Sequence, residues 1–162
     1  MSSPHSPVNS PDPPIKEYAD ALADGIEDAL PGWVEACVTR VTVAATGSPP
    51  DGEAAASAAA AGVRAREEVG PQVRALLAQD VDEQITTPLA IIRSAAVRYP
   101  TDVLRAAGVA AVARDAFAER AFPADIYDLS PASLADLSPD LVDVGMAWGA
   151  AKAFVHRRRH RS

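Results

Sequence analysis

The chain has 162 residues, of which 22 are acidic and 15 are Lys or Arg, so its formal charge is −7. This length is typical of one domain and excludes a multidomain machine. Hydrophobic residues make up 48% of the chain, but 35 residues are alanine, so the core must be built largely from small side chains. The single cysteine, Cys37, cannot form an internal disulfide, which favours a reducing, cytoplasmic compartment.

Residues 1–14 contain five prolines and four serines. Such a segment cannot bury enough apolar surface to offset the entropy of ordering it, so we predict a disordered leader. No Lys or Arg precedes Lys16, and no apolar run follows it that would indicate a signal peptide. The longest uncharged stretch of the body is far shorter than the roughly 20 apolar residues of a transmembrane helix.

The first helix is predicted over residues 16–30, where large apolar residues recur every four positions: Tyr18, Leu22, Ile26 and Leu30. The dipeptide Pro31-Gly32 predicts a break, with Pro31 opening a second helix. Val38–Val43 is rich in β-branched residues, as strands are. No second strand is available to pair with it, and we therefore favour a helix.

Residues 47–50 are predicted to form a loop, after which the Asp51 side chain can cap a new helix. The alanine-rich run Ala54–Ala61 has the highest helix propensity in the chain. Gly70-Pro71 predicts a kink or break, because Pro71 lacks the backbone N–H that a helix interior requires. A further segment is expected to end near Gln84.

The next helix is predicted to begin at Pro88 and to stop at Pro100. Thr101 is positioned to cap a short helix that Gly108 closes. Another helix is predicted over residues 111–121, and three large apolar residues are expected to point inward from it: Val112, Phe117 and Phe122.

Ser130-Pro131 and Ser138-Pro139 each place a capping hydroxyl before a proline, which predicts two further helix starts. The last helix is expected from Pro139 to about Arg158, with Leu141 and Trp148 on its apolar side. These patterns together predict an all-α protein. We expect a single compact domain of six to eight helices over residues 15–156, followed by a basic tail at 157–162.

The predicted body lacks the side chains that common catalytic mechanisms need. All three histidines lie in the leader or near the end of the chain, so no histidine can activate Cys37 or a serine. No phosphate-binding glycine loop, metal-binding spacing or cofactor motif is present. We therefore predict no catalytic, cofactor-binding or metal-binding residue and favour a protein that is not an enzyme.

Three pairs of acids have helical spacing and are interpreted as solvated surface: Asp20/Asp24, Asp80/Glu83 and Asp115/Glu119. An enzyme without histidine stays open as an alternative. Its candidate residues are Asp80, Asp82 and Glu83, together with Arg93.

The last eleven residues contain five cations and no acid: Lys152, Arg157, Arg158, Arg159 and Arg161. Cations near a helix C-terminus stabilise the helix dipole and keep an acidic protein soluble. They can also bind phosphates or an acidic protein surface. Trp33 and Trp148 are either interface anchors or core residues, and the small number of large side chains favours the core.

Several segments of the C-terminal half form a recognisable set: Thr87-Pro88-Leu89, Arg98-Tyr99-Pro100-Thr101, Ala121-Phe122-Pro123, Ser130-Pro131 and Trp148-Gly149-Ala150-Ala151-Lys152. With the composition rich in Ala, Arg, Asp and Val, this half resembles small uncharacterised all-helical proteins of actinobacteria. The resemblance implies a helical fold and no particular activity or functional residue.

We therefore expect a non-enzymatic cytoplasmic protein that acts by binding another protein through a groove or helix face near its last helix. The candidate contact residues are Trp33, Trp148, Lys152, Arg157, Arg158, Arg159 and Arg161. A nucleic-acid or ribonucleoprotein accessory factor held by the arginine tail is the first alternative, and the enzyme without histidine is the second.

Overall fold

The structure is a computed structural model and describes residues 15–78, 86–131 and 133–161. Over these ranges the chain forms six α-helices and no β-strand: α1 Ile15–Thr46, α2 Gly52–Leu77, α3 Thr86–Ala106, α4 Ala116–Ala121, α5 Leu134–Leu137 and α6 Leu141–Arg161. The all-α prediction is confirmed, and Val38–Val43 is helical. The predicted leader at 1–14 lies outside the described residues.

Helix α1 continues through Pro31, so the predicted break there is wrong. A proline inside a helix costs about 3 kcal/mol. Burial of one continuous stripe on both sides of Pro31 outweighs this cost, because the stripe stays in helical register: Leu22, Ile26, Leu30, Val34, Val38 and Val41 are all buried.

Helices α2 and α3 also pass through a proline, at Pro71 and Pro100 respectively. The predicted stop at Pro100 is therefore wrong, and Thr101 lies within α3 rather than capping a new helix. The predicted end of this region is confirmed, because α3 ends at Ala106 and Gly108 follows with φ +76. Glycine adopts this left-handed conformation without the steric penalty of a Cβ.

Helix α1 is the centre of the fold and packs against α2, α3, α5 and α6, while α2 also packs against α3. Valines and alanines fill much of the core, as the composition predicts. The approach of α1 to α2 is especially close at Gly62, where an added Cβ would lie 2.9 Å from Pro31 Cα. Small residues in α2 therefore allow the two backbones to come together.

An arginine of α2 joins three acids of α1. Arg74 Nη2 lies 2.5 Å from Asp24 Oδ1 and 3.1 Å from Glu27 Oε1, and Nη1 lies 3.7 Å from Asp20 Oδ1. Hydrogen bonds to Asp24 and Glu27 raise the pKa of Arg74 above its ordinary value. The predicted acidic pair Asp20/Asp24 therefore contributes to helix packing besides covering the surface.

Residues 109–131 form a mostly irregular segment around α4. Helix α4 begins after Asp115, whose carboxylate accepts a hydrogen bond from Ala118 N at 2.8 Å. The predicted helix over 111–121 is thus reduced to its second half. The inward position predicted for three of its apolar residues is wrong, because Val112, Phe117 and Phe122 are exposed.

The inner side of this segment is occupied instead by Asp125, Tyr127 and Leu129, which are buried. The Tyr127 hydroxyl donates a hydrogen bond to Val109 O at 2.7 Å, and Val112 N donates to Ile126 O at 2.9 Å. These two bonds join the beginning of the segment, at residues 109–112, to its later part, at residues 126–127. Helix α4 has only six residues, which is too short for a continuous apolar face along the helix.

The helix start predicted at Ser130 is wrong, because residues 129–131 are irregular and α5 begins after Ser133. Ser133 N donates a hydrogen bond to the Asp136 carboxylate at 2.8 Å, which caps this single turn. Helix α6 begins at Leu141, two residues after the predicted start, and continues through Arg161. Within the described ranges, no helix is both long and apolar enough to cross a bilayer.

Candidate interaction surface

One side of α6 packs against the rest of the molecule. Leu141 and Trp148 are buried, and Val144 and Gly145 are half-buried. The packing is close, because a Cβ added at Gly25 of α1 would lie 2.7 Å from Leu141 Cδ2 and one added at Gly145 would lie 3.1 Å from Leu134 Cδ1. This side of α6 is therefore fixed on α1 and α5.

The other side of α6 is exposed and largely apolar. We call it the α6 stripe, and its members recur at spacings of three and four residues along one helix face: Val142, Met146, Gly149, Ala150, Ala153 and Arg157. Met146 is 68% exposed and Val142 38% exposed. Around Gly149, no heavy atom of the described residues lies within 4 Å of an added Cβ.

One charged residue lies at or beside each end of the α6 stripe. Asp143 lies in the first turn, and Arg157 lies near the C-terminus; both are exposed. At 1.5 Å per residue they are about 21 Å apart along the helix axis. They therefore cannot pair with each other within one chain.

The structure places both predicted tryptophans against the core. Trp148 is only 4% exposed, which confirms its interpretation as a core residue. Trp33 is half-buried, and its Nε1 donates a hydrogen bond to Ala96 O of α3 at 3.1 Å. The Arg40 guanidinium lies over the Trp33 ring, 5.9 Å from its centroid. Neither indole is freely presented to a partner.

The predicted basic residues lie on α6, whose backbone is helical through Arg161. Arg157 is exposed. The side chains of Lys152, Arg158, Arg159 and Arg161 are outside the described part of the structure. Of the predicted contact residues, Arg157 therefore lies on the α6 stripe, whereas Trp148 lies in the core and Trp33 packs against it.

The buried side of α6, with Leu141 and Trp148, was predicted from the sequence, whereas its exposed apolar side was not. The spacing of Val142 and Met146, followed by Ala150 and Ala153, was the available signal. An apolar helix face is normally buried, so a second apolar face on the same helix predicts a second packing contact. Which side packs inward depends on the rest of the fold.

Only part of the candidate catalytic group falls within the described residues, because Asp80, Asp82 and Glu83 lie outside them. Arg93 lines a cavity of about 300 Å³ between α3 and the segment 122–130. Asp125 lines the same cavity, and its two carboxylate oxygens accept hydrogen bonds from Leu129 N and Ser130 N, each at 2.6 Å. The Asp125 carboxylate thus organises a turn.

Among the described residues, no group of three or more His, Cys, Asp and Glu side chains could hold a metal ion.

Cys37 is fully buried on α1. Burial raises the pKa of its thiol, Arg40 partly opposes this shift and Asp125 adds to it, so that the resulting pKa is about 12. Thiolates rather than thiols are the nucleophiles and metal ligands of cysteine chemistry. The Cys37 side chain therefore behaves as a small apolar core residue.

This shift predicts a loss of stability at alkaline pH. The thiol pKa is higher in the folded than in the unfolded chain, so its contribution is complete below pH 9 and is lost as pH rises from 9 toward 12. Between pH 9 and 10, we expect the free energy of unfolding to fall by about 1 kcal/mol more in the wild type than in Cys37→Ala. Urea denaturation at each pH measures this difference, and equal pH dependence in both chains contradicts it.

No protein-family model matches the chain, and no curated protein or solved structure is significantly similar to it. The resemblance to small helical proteins of actinobacteria therefore stays a prediction.

Proposed function

We propose that this is a non-enzymatic helical protein that acts by binding a protein partner through the α6 stripe. The observation that carries the proposal is the exposure of Val142 and Met146 on a helix whose reverse side packs on α1. Single exposed apolar residues are common on protein surfaces. Here, however, they continue into Gly149, Ala150 and Ala153 along one helix face.

The shape of the stripe suits another helix. Met146 is flexible and fills irregular apolar gaps, which makes methionine frequent at binding surfaces. Gly149 and Ala150 carry almost no side chain, so a partner helix can approach the α6 backbone closely at this point. Helix recognition by apolar residues three and four positions apart is a recurring mode of protein binding.

The test compares three forms of the tagged full chain: wild type, Met146→Glu and Val63→Glu. Val63 is the matched control, since it is an exposed apolar residue of α2, 50% exposed, outside the stripe. A carboxylate at position 146 would have to be desolvated in the complex. In lysate treated with a chemical cross-linker, which retains micromolar complexes, we expect Met146→Glu to lower partner recovery by about tenfold and Val63→Glu to leave it unchanged.

Nuclease treatment separates this proposal from the nucleic-acid alternative. Recovery that survives nuclease and depends on Met146 supports protein binding through the stripe. Recovery that nuclease abolishes, and that weakens steeply with salt, would instead support binding of phosphates by the basic end of α6. Recovery that is the same with Met146→Glu as with the wild type contradicts the proposed surface.

A further inference from the structure

The α6 stripe has a symmetry that identifies its partner more closely. Its members are arranged evenly about the Gly149-Ala150 dipeptide, which lies at the middle of the stripe. When two such helices cross antiparallel at this dipeptide, Met146 of each copy lies beside Ala153 of the other. Val142 of each copy then lies beside Arg157 of the other, at both ends of the contact.

We infer that the partner is a second copy of this chain, packed antiparallel across the α6 stripe, an inference that rests on the proposed function. Such an interface is isologous, with the same surface patch contributed by both copies, as in most homodimers. The large side chain of Met146 meets the small Ala153 twice, and the smallest residues lie at the crossing point. Alternation of large and small residues across an interface allows helices to pack closely.

Charge selects the antiparallel orientation. Asp143 and Arg157 are too far apart to pair within one chain, but in the antiparallel arrangement each Asp143 lies near Arg157 of the other copy. A parallel arrangement would instead place the two Asp143 carboxylates together and the two Arg157 guanidinium groups together. Opposite charges at the edge of an interface fix its register and exclude competing arrangements.

The size of the stripe sets the expected affinity. A contact between two single helices buries less than the roughly 1,200 Å² typical of stable complexes. We therefore expect a reversible dimer with a dissociation constant in the micromolar range, on the order of 10–100 μM. Analytical ultracentrifugation of the purified full chain over a concentration series measures it.

Charge reversal provides the decisive comparison. Asp143→Arg and Arg157→Asp each place like charges opposite one another at both ends of the dimer, and we expect each variant to dimerise about tenfold more weakly than the wild type at low salt. When one variant pairs with the other, both contacts between position 143 of one chain and position 157 of the other again join one cation and one anion. The mixture is therefore expected to regain association near the wild-type level.

Cysteine cross-linking reports the orientation. Because Cys37 is buried and its thiol pKa is raised to about 12, an introduced surface cysteine is the reactive thiol of the native chain. Met146→Cys mixed with Ala153→Cys is expected to yield mainly the mixed disulfide-linked dimer. If each variant instead cross-links mainly with itself, the antiparallel arrangement is wrong.

The outcomes separate this inference from the proposed function. A wild-type chain that stays monomeric up to about 1 mM overturns the second-copy inference. In that case, capture of a different protein that Met146→Glu abolishes and Val63→Glu preserves leaves the proposed function standing. Dimerisation that is insensitive to Met146→Glu and to both charge reversals also overturns the inference, because the contact then lies elsewhere. Circular dichroism verifies that each variant remains helical.

Discussion

Replacement of Asp125 by alanine is expected to lower the free energy of unfolding by about 3 kcal/mol. Asp125 is 1% exposed, and its carboxylate accepts two hydrogen bonds of 2.6 Å, from Leu129 N and Ser130 N. Hydrogen bonds to a charged group are worth about 1.5–3 kcal/mol each. Alanine removes both acceptors and leaves two backbone donors without a partner in a segment that has little regular structure.

The urea midpoint and slope of the two chains measure this effect. Asp102→Ala is the matched control, because Asp102 is an exposed aspartate of α3, and we expect it to change stability by less than about 0.5 kcal/mol. Asp125→Asn keeps one acceptor oxygen but turns an amide donor toward the other backbone N–H, so an intermediate loss is expected. A loss below about 1 kcal/mol for Asp125→Ala would show that water replaces the carboxylate.

Substitution of Gly62 by alanine is expected to destabilise the fold by about 1 to 2 kcal/mol, although alanine is the better helix former. The new Cβ would lie 2.9 Å from Pro31 Cα and 3.1 Å from Pro31 O. Both atoms belong to the backbone of α1 and cannot rotate away. The two helices must therefore separate, which loosens the core between them.

Two other glycines make this prediction specific. At Gly32, no heavy atom of the described residues outside its own helical turn lies within 4 Å of an added Cβ, so Gly32→Ala is expected to stabilise the chain by about 0.5 to 1 kcal/mol. At Gly70, the three atoms nearest to an added Cβ all belong to the Glu27 side chain, which can move, so a smaller loss than at Gly62 is expected. Thermal unfolding of the three variants ranks them, and stabilisation by Gly62→Ala would contradict the close backbone approach.

The prolines show why helix boundaries were predicted less well than helices. Pro31 and Pro100 each predicted the end of a helix, and each lies inside a continuous helix. Pro71 predicted either one long bent helix or a pair of helices, and the structure has one helix there. The local cost of a proline is visible in the sequence, whereas the compensating burial depends on neighbouring helices. Where no long-range contact competes, as at the Asp51 cap and at Gly108, the local prediction is confirmed.

The candidate surface shows the same division. The partner contact predicted near the last helix included Trp33 and Trp148, but Trp148 lies in the core and Trp33 packs against it. The side of α6 with Leu141 and Trp148 was predicted to be its apolar side, and it is buried. The stripe on the other side is also a helical pattern, but the sequence alone does not say that it stays exposed. Similarly, the large residues Val112, Phe117 and Phe122 were predicted inward because they are apolar, and they are exposed.

The sequence by itself determined the all-α class and the cap of α2 at Asp51, and it favoured a helix over a strand for Val38–Val43. These follow from periodicity, propensity and capping, which act over a few residues. The tertiary structure decided whether helices continue through prolines, which residues fill the interior around Asp125, and which side of α6 stays exposed. These depend on which surfaces are buried against distant parts of the chain, a free energy that no short segment contains.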